Sequence, residues 1–82
     1  MTLADLPKRT PAIVESVHES SAQDNIARRL RELGFVAGER VEMLVCGPFG
    51  GEPLLVQVGF TRFALRRSEA ARVHLRTEGE AA

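Results

Sequence analysis

The chain lacks the features of secreted and membrane-spanning proteins. Cys46 is its only cysteine, so no intramolecular disulfide can staple the fold. It has no apolar run of about 18 residues, the length that a membrane-spanning helix requires. Its N-terminal segment, MTLADLPKRTPAIV, lacks the apolar stretch of a signal peptide. These absences indicate a cytoplasmic protein.

The chain also has no net charge. Its 11 lysines and arginines balance its 11 acidic residues, so no overall field draws it onto DNA or RNA. Lys8 is the only lysine among them. Arginine has a planar fork that binds carboxylates and phosphates, and it is enriched at interfaces. The arginines therefore indicate either protein partners or a solvated surface.

The length limits the size of the core. With 82 residues there is room for one domain with a thin core. We predict a single domain over residues 1–82, with its core at about residues 11–76 and frayed termini. Such a core supports a binding surface more readily than a buried catalytic cleft.

Hydrophobic periodicity divides the chain into five strands and one helix. We predict strands at residues 11–17, 40–46, 54–58, 61–66 and 72–76, a helix from Ser20 or Ser21, and a helical turn at residues 68–71 capped by Ser68. Three glycines and two prolines in residues 47–53 indicate a wide turn. The predicted fold class is mostly β with one α-helix: a small, five-stranded, partly open barrel plus a short helical turn.

The predicted helix has defined ends and one apolar side. Ser21 and Asp24 form a capping-box-like pair at its start, and Gly34 is the left-handed residue that ends it. The spacing i, i+4, i+7 predicts a buried stripe of Ile26, Leu30 and Leu33. In the strand that follows, alternation predicts a buried set of Val41, Met43 and Val45.

Several short motifs stand in a fixed order between residues 33 and 70. They are Leu33-Gly34-Phe35 at the helix end, Gly38, Gly50-Gly51-Glu52-Pro53, Ala64-Leu65-Arg66 and Glu69-Ala70. Together they resemble the FeoA family over roughly residues 11–76, with Ala37 where this family often has proline. The resemblance implies an SH3-like barrel and a cytosolic accessory protein of bacterial ferrous iron uptake. The partner it implies is the cytosolic GTP-binding region of the FeoB transporter.

The same SH3-like module resembles the C-terminal part of iron-dependent repressors of the DtxR type. Those proteins place a winged helix-turn-helix and a dimerisation domain before it. Only residues 1–10 precede the first predicted strand here, so we expect no DNA-reading domain. The short N-terminal segment therefore favours a transporter accessory protein over a repressor.

Metal ligands are present, but their spacing is not that of a metal site. The candidates are His18, His74, Cys46, Glu15, Glu19 and Glu42. They show no CxxC, HxxxH or HxH pattern. A weak surface site of His18 with Glu19 is the most that the sequence offers. We therefore predict no metal and no cofactor.

The sequence contains no pattern typical of a catalytic site. Ser20, Ser21 and Ser68 lie where helix caps are needed, which explains them without chemistry. The glycine-rich segment at residues 47–51 lacks the Lys-Ser/Thr pair of a phosphate-binding loop. We predict that the protein is not an enzyme.

Two phenylalanines and three arginines are the candidate partner-binding residues. Phe49 and Phe60 lie in predicted turns, where a large apolar side chain gains little unless it folds back or meets a partner. Arg28, Arg29 and Arg31 lie on the predicted exposed side of the helix and can meet acidic groups. Local packing of the phenylalanines and solvation of the arginines are the alternatives.

Other functions remain open. A GTPase activator would insert an arginine, such as Arg28 or Arg62, to stabilise the transition state. A nucleic-acid-binding module is favoured by the late cluster of arginines near Phe60 and Phe63, and disfavoured by the zero net charge. Self-association through open strand edges is compatible with the accessory role.

Overall fold

The computed structural model describes residues 1–77, which form one five-stranded sheet with three short helical segments. In chain order the elements are a 3-10 helix at Leu3–Asp5, β1 at Pro11–Val17, α1 at Asn25–Leu33, β2 at Arg40–Gly47, β3 at Gly51–Val58, β4 at Thr61–Leu65, α2 at Arg67–Ala70 and β5 at Val73–Thr77. The predicted frayed tail after Thr77 lies outside the described residues.

The strands follow the order β4-β3-β2-β1-β5, and all neighbours are antiparallel. β4 and β5 are the two edges, so the sheet does not close on itself. The predicted class is therefore confirmed: mostly β with one principal helix, five strands in a partly open barrel, and a short helical turn before the last strand.

Apolar side chains from every element meet in one core. Phe35, which follows α1, is fully buried and contacts Phe63 of β4, with the two ring centroids 6.0 Å apart. Leu3 and Leu6 are also in this core. The amide of Leu75 donates to the carbonyl of Met1 at 2.8 Å, so the first residues cover the outer edge of β5. The predicted start of the core at about residue 11 is therefore too late, because periodicity does not reveal a three-residue 3-10 helix.

Helix α1 begins later than predicted. Its N-cap is Asp24, whose Oδ1 accepts from the amides of Ile26 at 3.1 Å and Ala27 at 3.2 Å. The predicted start at Ser20 or Ser21 and the predicted Ser21 cap are wrong, because an aspartate carboxylate already occupies the cap position. Gly34 ends the helix with a φ of 117°, as predicted.

The buried side of α1 is rotated from the predicted stripe. Ala27 and Leu30 are buried, Leu33 is half-buried, and Ile26 is 37% exposed. Phe35 takes up core volume beyond the helix end. Assigning Ile26 to the core was therefore wrong, since residue 27 points inward and residue 26 lies about 100° around the helix from it.

The β2–β3 hairpin is tighter than the predicted wide turn. β3 starts at Gly51, and Phe49 and Glu52 bond each other through both backbone pairs, with N···O distances of 3.2 and 3.1 Å. Gly51 adopts a φ of 86°, which glycine permits. In β2, a register shift between Met43 and Val45 turns Val45 outward, so that it is 50% exposed rather than buried.

Helix α2 begins one residue before the predicted turn. Its N-cap is Arg66, whose amide donates to Oε1 of Glu69 at 2.7 Å. Ser68 lies inside the helix, so its predicted capping role is wrong. The amide of Arg67 donates to Oε2 of Glu52 at 2.8 Å, which ties α2 to the start of β3. β4 correspondingly ends at Leu65, one residue earlier than predicted.

Candidate partner-binding surface

The two candidate phenylalanines lie at the tips of different hairpins. Phe49, between β2 and β3, is 82% exposed, and Phe60, between β3 and β4, is fully exposed. Neither folds back onto the core. They lie at opposite ends of β3, a separation of roughly 25 Å at about 3.3 Å per residue. They cannot belong to one small contact, but both fit within one interface of ordinary size, which covers about 800 Å² per partner.

The three candidate arginines of α1 have different environments. Arg31 donates from Nη1 to Oε1 of Glu19 at 2.7 Å and from Nη2 to the carbonyl of Val17 at 3.0 Å. It therefore ties α1 to the end of β1. Arg28 and Arg29 are exposed, and within residues 1–77 their side chains make no hydrogen bond or ion pair. They can meet an acidic group without breaking an internal contact.

A cleft runs between α1 and the edge strand β4. Its walls are Ile26, Leu30 and Leu33 from the helix and Phe63, Ala64 and Leu65 from the strand, with Arg29 and Glu69 among its polar lining residues. The cleft places partly exposed apolar groups beside a free arginine.

The strand that borders this cleft is open on one side. β4 pairs with β3 from Val58↔Thr61 to Leu54↔Leu65, and in the described part of the chain no strand pairs with its other side. Backbone groups along such an edge can hydrogen-bond to an added chain. The sequence prediction missed this cleft because it assigned Ile26 to the core. The signal was there: the apolar residues of α1 span a wider arc than one stripe, since Ala27 lies beside Ile26.

The metal-ligand candidates are mostly apart. Among residues 1–77, no group of three or more His, Cys, Asp and Glu side chains is arranged to hold a metal ion. Glu19, the predicted neighbour of His18, is paired with Arg31. The fold does bring His18 to His74, with ring centroids 5.8 Å apart. The two histidines are 56 positions apart in the sequence, so no local spacing pattern predicts this pair.

The serine expected to cap a helix serves the capping carboxylate instead. The amide and Oγ of Ser20 both donate to Oδ2 of Asp24, at 3.0 and 2.9 Å. Nε of Arg72 donates to the same oxygen at 2.8 Å. The Arg72 guanidinium, followed by the Ser20 amide, holds the pKa of the Asp24 carboxyl far below its ordinary value. Ser20 and Asp24 thus have structural partners.

The fold and surface define a class: a small, partly open five-stranded barrel with an apolar cleft at one sheet edge. A family model described as the FeoA domain matches residues 1–77. The chain belongs to the FeoA family, which is associated with ferrous iron transport and contains SH3-like accessory proteins rather than a known class of enzyme. No described helix is long and apolar enough to cross a membrane.

Solved structures agree with this assignment. FeoA of Stenotrophomonas maltophilia, a prokaryotic SH3 domain protein crystallised with zinc, is 68% identical, with a TM-score of 0.86 over 93% of this chain and 89% of that one. FeoA of Chlorobium tepidum is 29% identical, with a TM-score of 0.81 over 100% of this chain and 74% of that one. A comparison with curated proteins gave no significant match.

A manganese regulator shares this fold. The manganese regulator SloR matches with a TM-score of 0.71 at 12% identity, over 95% of this chain and 34% of the regulator. At this identity the match shows a shared fold alone. The resemblance to a repressor module inferred from the sequence is thus a resemblance of fold.

Proposed function

We propose that this protein is a cytoplasmic accessory of ferrous iron uptake that docks on the cytosolic GTP-binding region of an FeoB-type transporter. Its membership of the FeoA family supports the transport role. The observation that carries the docking role is the cleft between α1 and the open edge of β4. An apolar cleft beside unpaired backbone groups is a binding surface that gains from a partner.

The chemistry of the cleft indicates how the partner binds. Ile26 and Leu33 offer apolar area, and Arg29 offers a guanidinium that no internal carboxylate occupies within residues 1–77. A partner segment with one apolar side chain and a nearby carboxylate satisfies both. Arg28 lies next to Arg29 in the same exposed turn of α1 and extends the basic rim. Phe49 and Phe60 are proposed as the outer contacts at the two ends of β3.

The proposal is tested by calorimetric titration into the GTP-binding region of the same organism's FeoB, with GDP, GTP or a non-hydrolysable analogue bound. Phosphate release is followed in parallel. Ile26→Glu places a charge in the cleft, and we expect it to weaken binding at least about tenfold. Val45→Glu is the matched control, because Val45 is also exposed and apolar but lies on β2.

Each outcome has a defined meaning. Binding by the wild type that Ile26→Glu weakens and Val45→Glu leaves unchanged supports docking through the cleft. Binding that Ile26→Glu does not change would place the contact elsewhere, and Phe49→Ala and Phe60→Ala would then show which hairpin tip is used. An absence of binding in every nucleotide state would contradict docking on this region. Faster phosphate release would add GTPase activation to the docking role.

A further inference from the structure

The open edge of β4 presents the backbone groups of two residues, Arg62 and Ala64. The β3–β4 hairpin has a two-residue turn at positions 59–60, and its first pair is Val58↔Thr61. In a hairpin of this length the residues that flank the turn form a hydrogen-bonded pair, and every second pair along the ladder repeats it. Alternate residues of β4, starting at Thr61, therefore bond to β3. The amides and carbonyls of Arg62 and Ala64 are directed away from the sheet.

Side chains along β4 alternate between the cleft and the outer face of the sheet. Phe63 and Leu65 pack against the core and line the cleft. Arg62 and Ala64 lie on the outer face, and Arg66 continues this alternation because its backbone is extended, with a φ of -77° and a ψ of 154°. An added strand places each side chain on the same face as the β4 residue opposite it. Positions opposite Phe63 and Leu65 therefore enter the cleft, and those opposite the two arginines lie beside a guanidinium.

The charges along this edge are mainly positive. Within residues 1–77, no carboxylate is paired with the guanidinium of Arg29 or Arg66. Nε of Arg62 donates to a neutral acceptor, Oε1 of Gln57, at 3.4 Å. Glu69 lines the cleft, and its Oε1 already accepts from the amide of Arg66 at 2.7 Å. Three guanidinium groups thus accompany one carboxylate here, although the chain as a whole has no net charge.

The exposed backbone and the positive charge together select the kind of partner. A second copy of this chain would bring the same arginines to the contact, and like charges on paired strands are unfavourable. A lipid surface offers phosphates to the arginines, but it has no series of amides and carbonyls that could pair with a strand. An extended acidic segment of a protein satisfies both requirements.

We propose that the edge of β4 binds a segment of its protein partner as a sixth, antiparallel strand of the sheet. The five residues opposite positions 62–66 carry carboxylates at the first and fifth positions, aliphatic side chains at the second and fourth, and a small residue in the centre, opposite Ala64. Antiparallel pairing is chosen because parallel pairs are slightly less stable. This inference rests on the proposed function, since the added strand lies along the docking cleft, and it specifies the conformation and sequence pattern of the docking segment.

The experiment titrates a capped peptide of sequence Glu-Leu-Ala-Val-Glu into the full chain and follows each backbone amide by NMR. At a peptide concentration about tenfold above Kd, hydrogen exchange at the amides of Arg62 and Ala64 slows roughly tenfold. The amide of Phe63, which is directed to β3, keeps its exchange rate. This alternation along one strand is the signature of strand addition, because a contact through side chains alone does not produce it.

Matched peptides separate the contributions of charge and backbone. Lys-Leu-Ala-Val-Lys has the same aliphatic residues with the opposite charge, and its affinity is expected to be at least about tenfold lower. N-methylation of the central alanine removes an amide that bonds to Ala64, so binding is lost. N-methylation of the leucine is the control, because that amide is directed away from β4, and binding is retained.

A proline in the strand gives the same test from the side of the protein. Ala64→Pro removes the outward amide and leaves the hydrogen bonds to β3 in place, as edge strands permit. It is expected to abolish peptide binding, whereas Ala64→Ser retains it. The unfolding midpoint of each variant without peptide shows whether its fold is intact. The methylated peptides test the same hydrogen bonds in the wild-type chain, so the result does not depend on the folding of a variant.

The outcomes separate this inference from the docking role. Equal affinity for the acidic and basic peptides, equal affinity for the two methylated peptides, or no binding of the acidic peptide at about 5 mM would overturn strand addition. Binding of the FeoB region without slower exchange at Arg62 and Ala64 would also overturn it and would leave the docking role intact. Peptide binding with the expected pattern, but no binding of the FeoB region, would support strand addition and contradict docking on that region.

Discussion

The Asp24 carboxylate and the Arg72 guanidinium form an ion pair that joins positions 48 residues apart in sequence, with a distance of 2.8 Å between Oδ2 and Nε. The Asp24 side chain is only 4% exposed. Its other oxygen caps α1, and Nη1 of Arg72 donates to the carbonyl of Ser68 at 2.8 Å. One carboxylate therefore fixes both the start of α1 and the connection between α2 and β5.

Asp24→Asn tests this arrangement. Asparagine keeps one oxygen for the cap, but its amide group faces the donors of Arg72 and Ser20 and leaves them unpaired. We expect the thermal unfolding midpoint to fall by roughly 5–10 °C. Ser21→Ala, which removes a hydroxyl without a side-chain hydrogen bond in the described structure, serves as the control. Equal midpoints for the two variants would contradict the role of the ion pair.

The same carboxylate predicts a pH dependence of stability. Its pKa is lowered in the folded protein, chiefly by the Arg72 hydrogen bond and next by the Ser20 amide. Because the folded pKa is below the unfolded one, the stabilisation is complete above the unfolded value of about 3.9 and is lost as pH falls towards the folded value. We expect the difference in unfolding midpoint between wild type and Asp24→Asn to be constant from about pH 8 to about pH 5 and to shrink by about pH 2.5. A constant difference at acid pH would disprove this.

Gly47 has no room for a side chain. A Cβ at this position would collide with the backbone carbonyl of Glu52 across the β2–β3 hairpin. We expect Gly47→Ala to lower the free energy of unfolding by about 2–3 kcal/mol, since backbone must move. A Cβ at Gly50 would meet no atom, but the residue has a φ of 65°. Gly50→Ala is therefore expected to lower the free energy of unfolding by about 1 kcal/mol. Denaturant unfolding measures the free energy of unfolding of both variants, and we expect the larger loss for Gly47→Ala. A larger loss for Gly50→Ala would show that the hairpin backbone shifts to accommodate a side chain at residue 47.

Leu3 tests whether the N-terminal segment belongs to the core. Its side chain is fully buried, so Leu3→Ala is expected to cost about 2–4 kcal/mol. Val45→Ala, at a half-exposed position, is expected to change stability by less than about 0.5 kcal/mol. A similarly small effect for both variants, measured by urea unfolding, would mean that residues 1–6 pack loosely.

Substitutions of Arg29 and Arg31 are expected to have different effects, on partner binding at Arg29 and on the free energy of unfolding at Arg31. Arg31→Gln loses an exposed ion pair with Glu19 and is expected to cost about 0.5–1 kcal/mol. Arg29→Gln is expected to leave the free energy of unfolding unchanged within about 0.5 kcal/mol and to weaken binding to the FeoB region. Urea unfolding and calorimetry on the same samples make the comparison. Loss of binding in Arg31→Gln alone would reverse the assignment.

Much of the architecture could be predicted from local pattern. The alternation of Val41 and Met43 marks a strand, and Gly34 marks a helix end because only a residue without Cβ readily adopts its positive φ. These signals depend on neighbours within a few positions. They were sufficient for the five strands and the helix, and the ordered motifs indicated the FeoA family.

The predictions that were wrong concern positions whose burial or hydrogen bonding depends on a residue far away in the sequence. Ser21 had the right residue type for a cap, but Asp24 also gains Arg72 as a partner, and no local rule contains Arg72. Val45 fits the alternation, yet the register shift against β3 turns it outward. Leu3 is too isolated in sequence to form a pattern, and its burial follows from the sheet edge that it covers.

The sequence by itself determined the order of the five strands and the principal helix and the fold class, because backbone propensity and hydrophobic period are properties of short segments. The ordered motifs indicated the family. Only the tertiary structure decided which side chains meet. The pairing of His18 with His74, the internal use of Arg31 and the exposure of Ile26 beside β4 all depend on strand register and helix rotation. Those two quantities are set by packing among residues far apart in the chain. This is why the cleft and the histidine pair emerged only from the fold, whereas Phe49 and Phe60 were already candidates in the sequence.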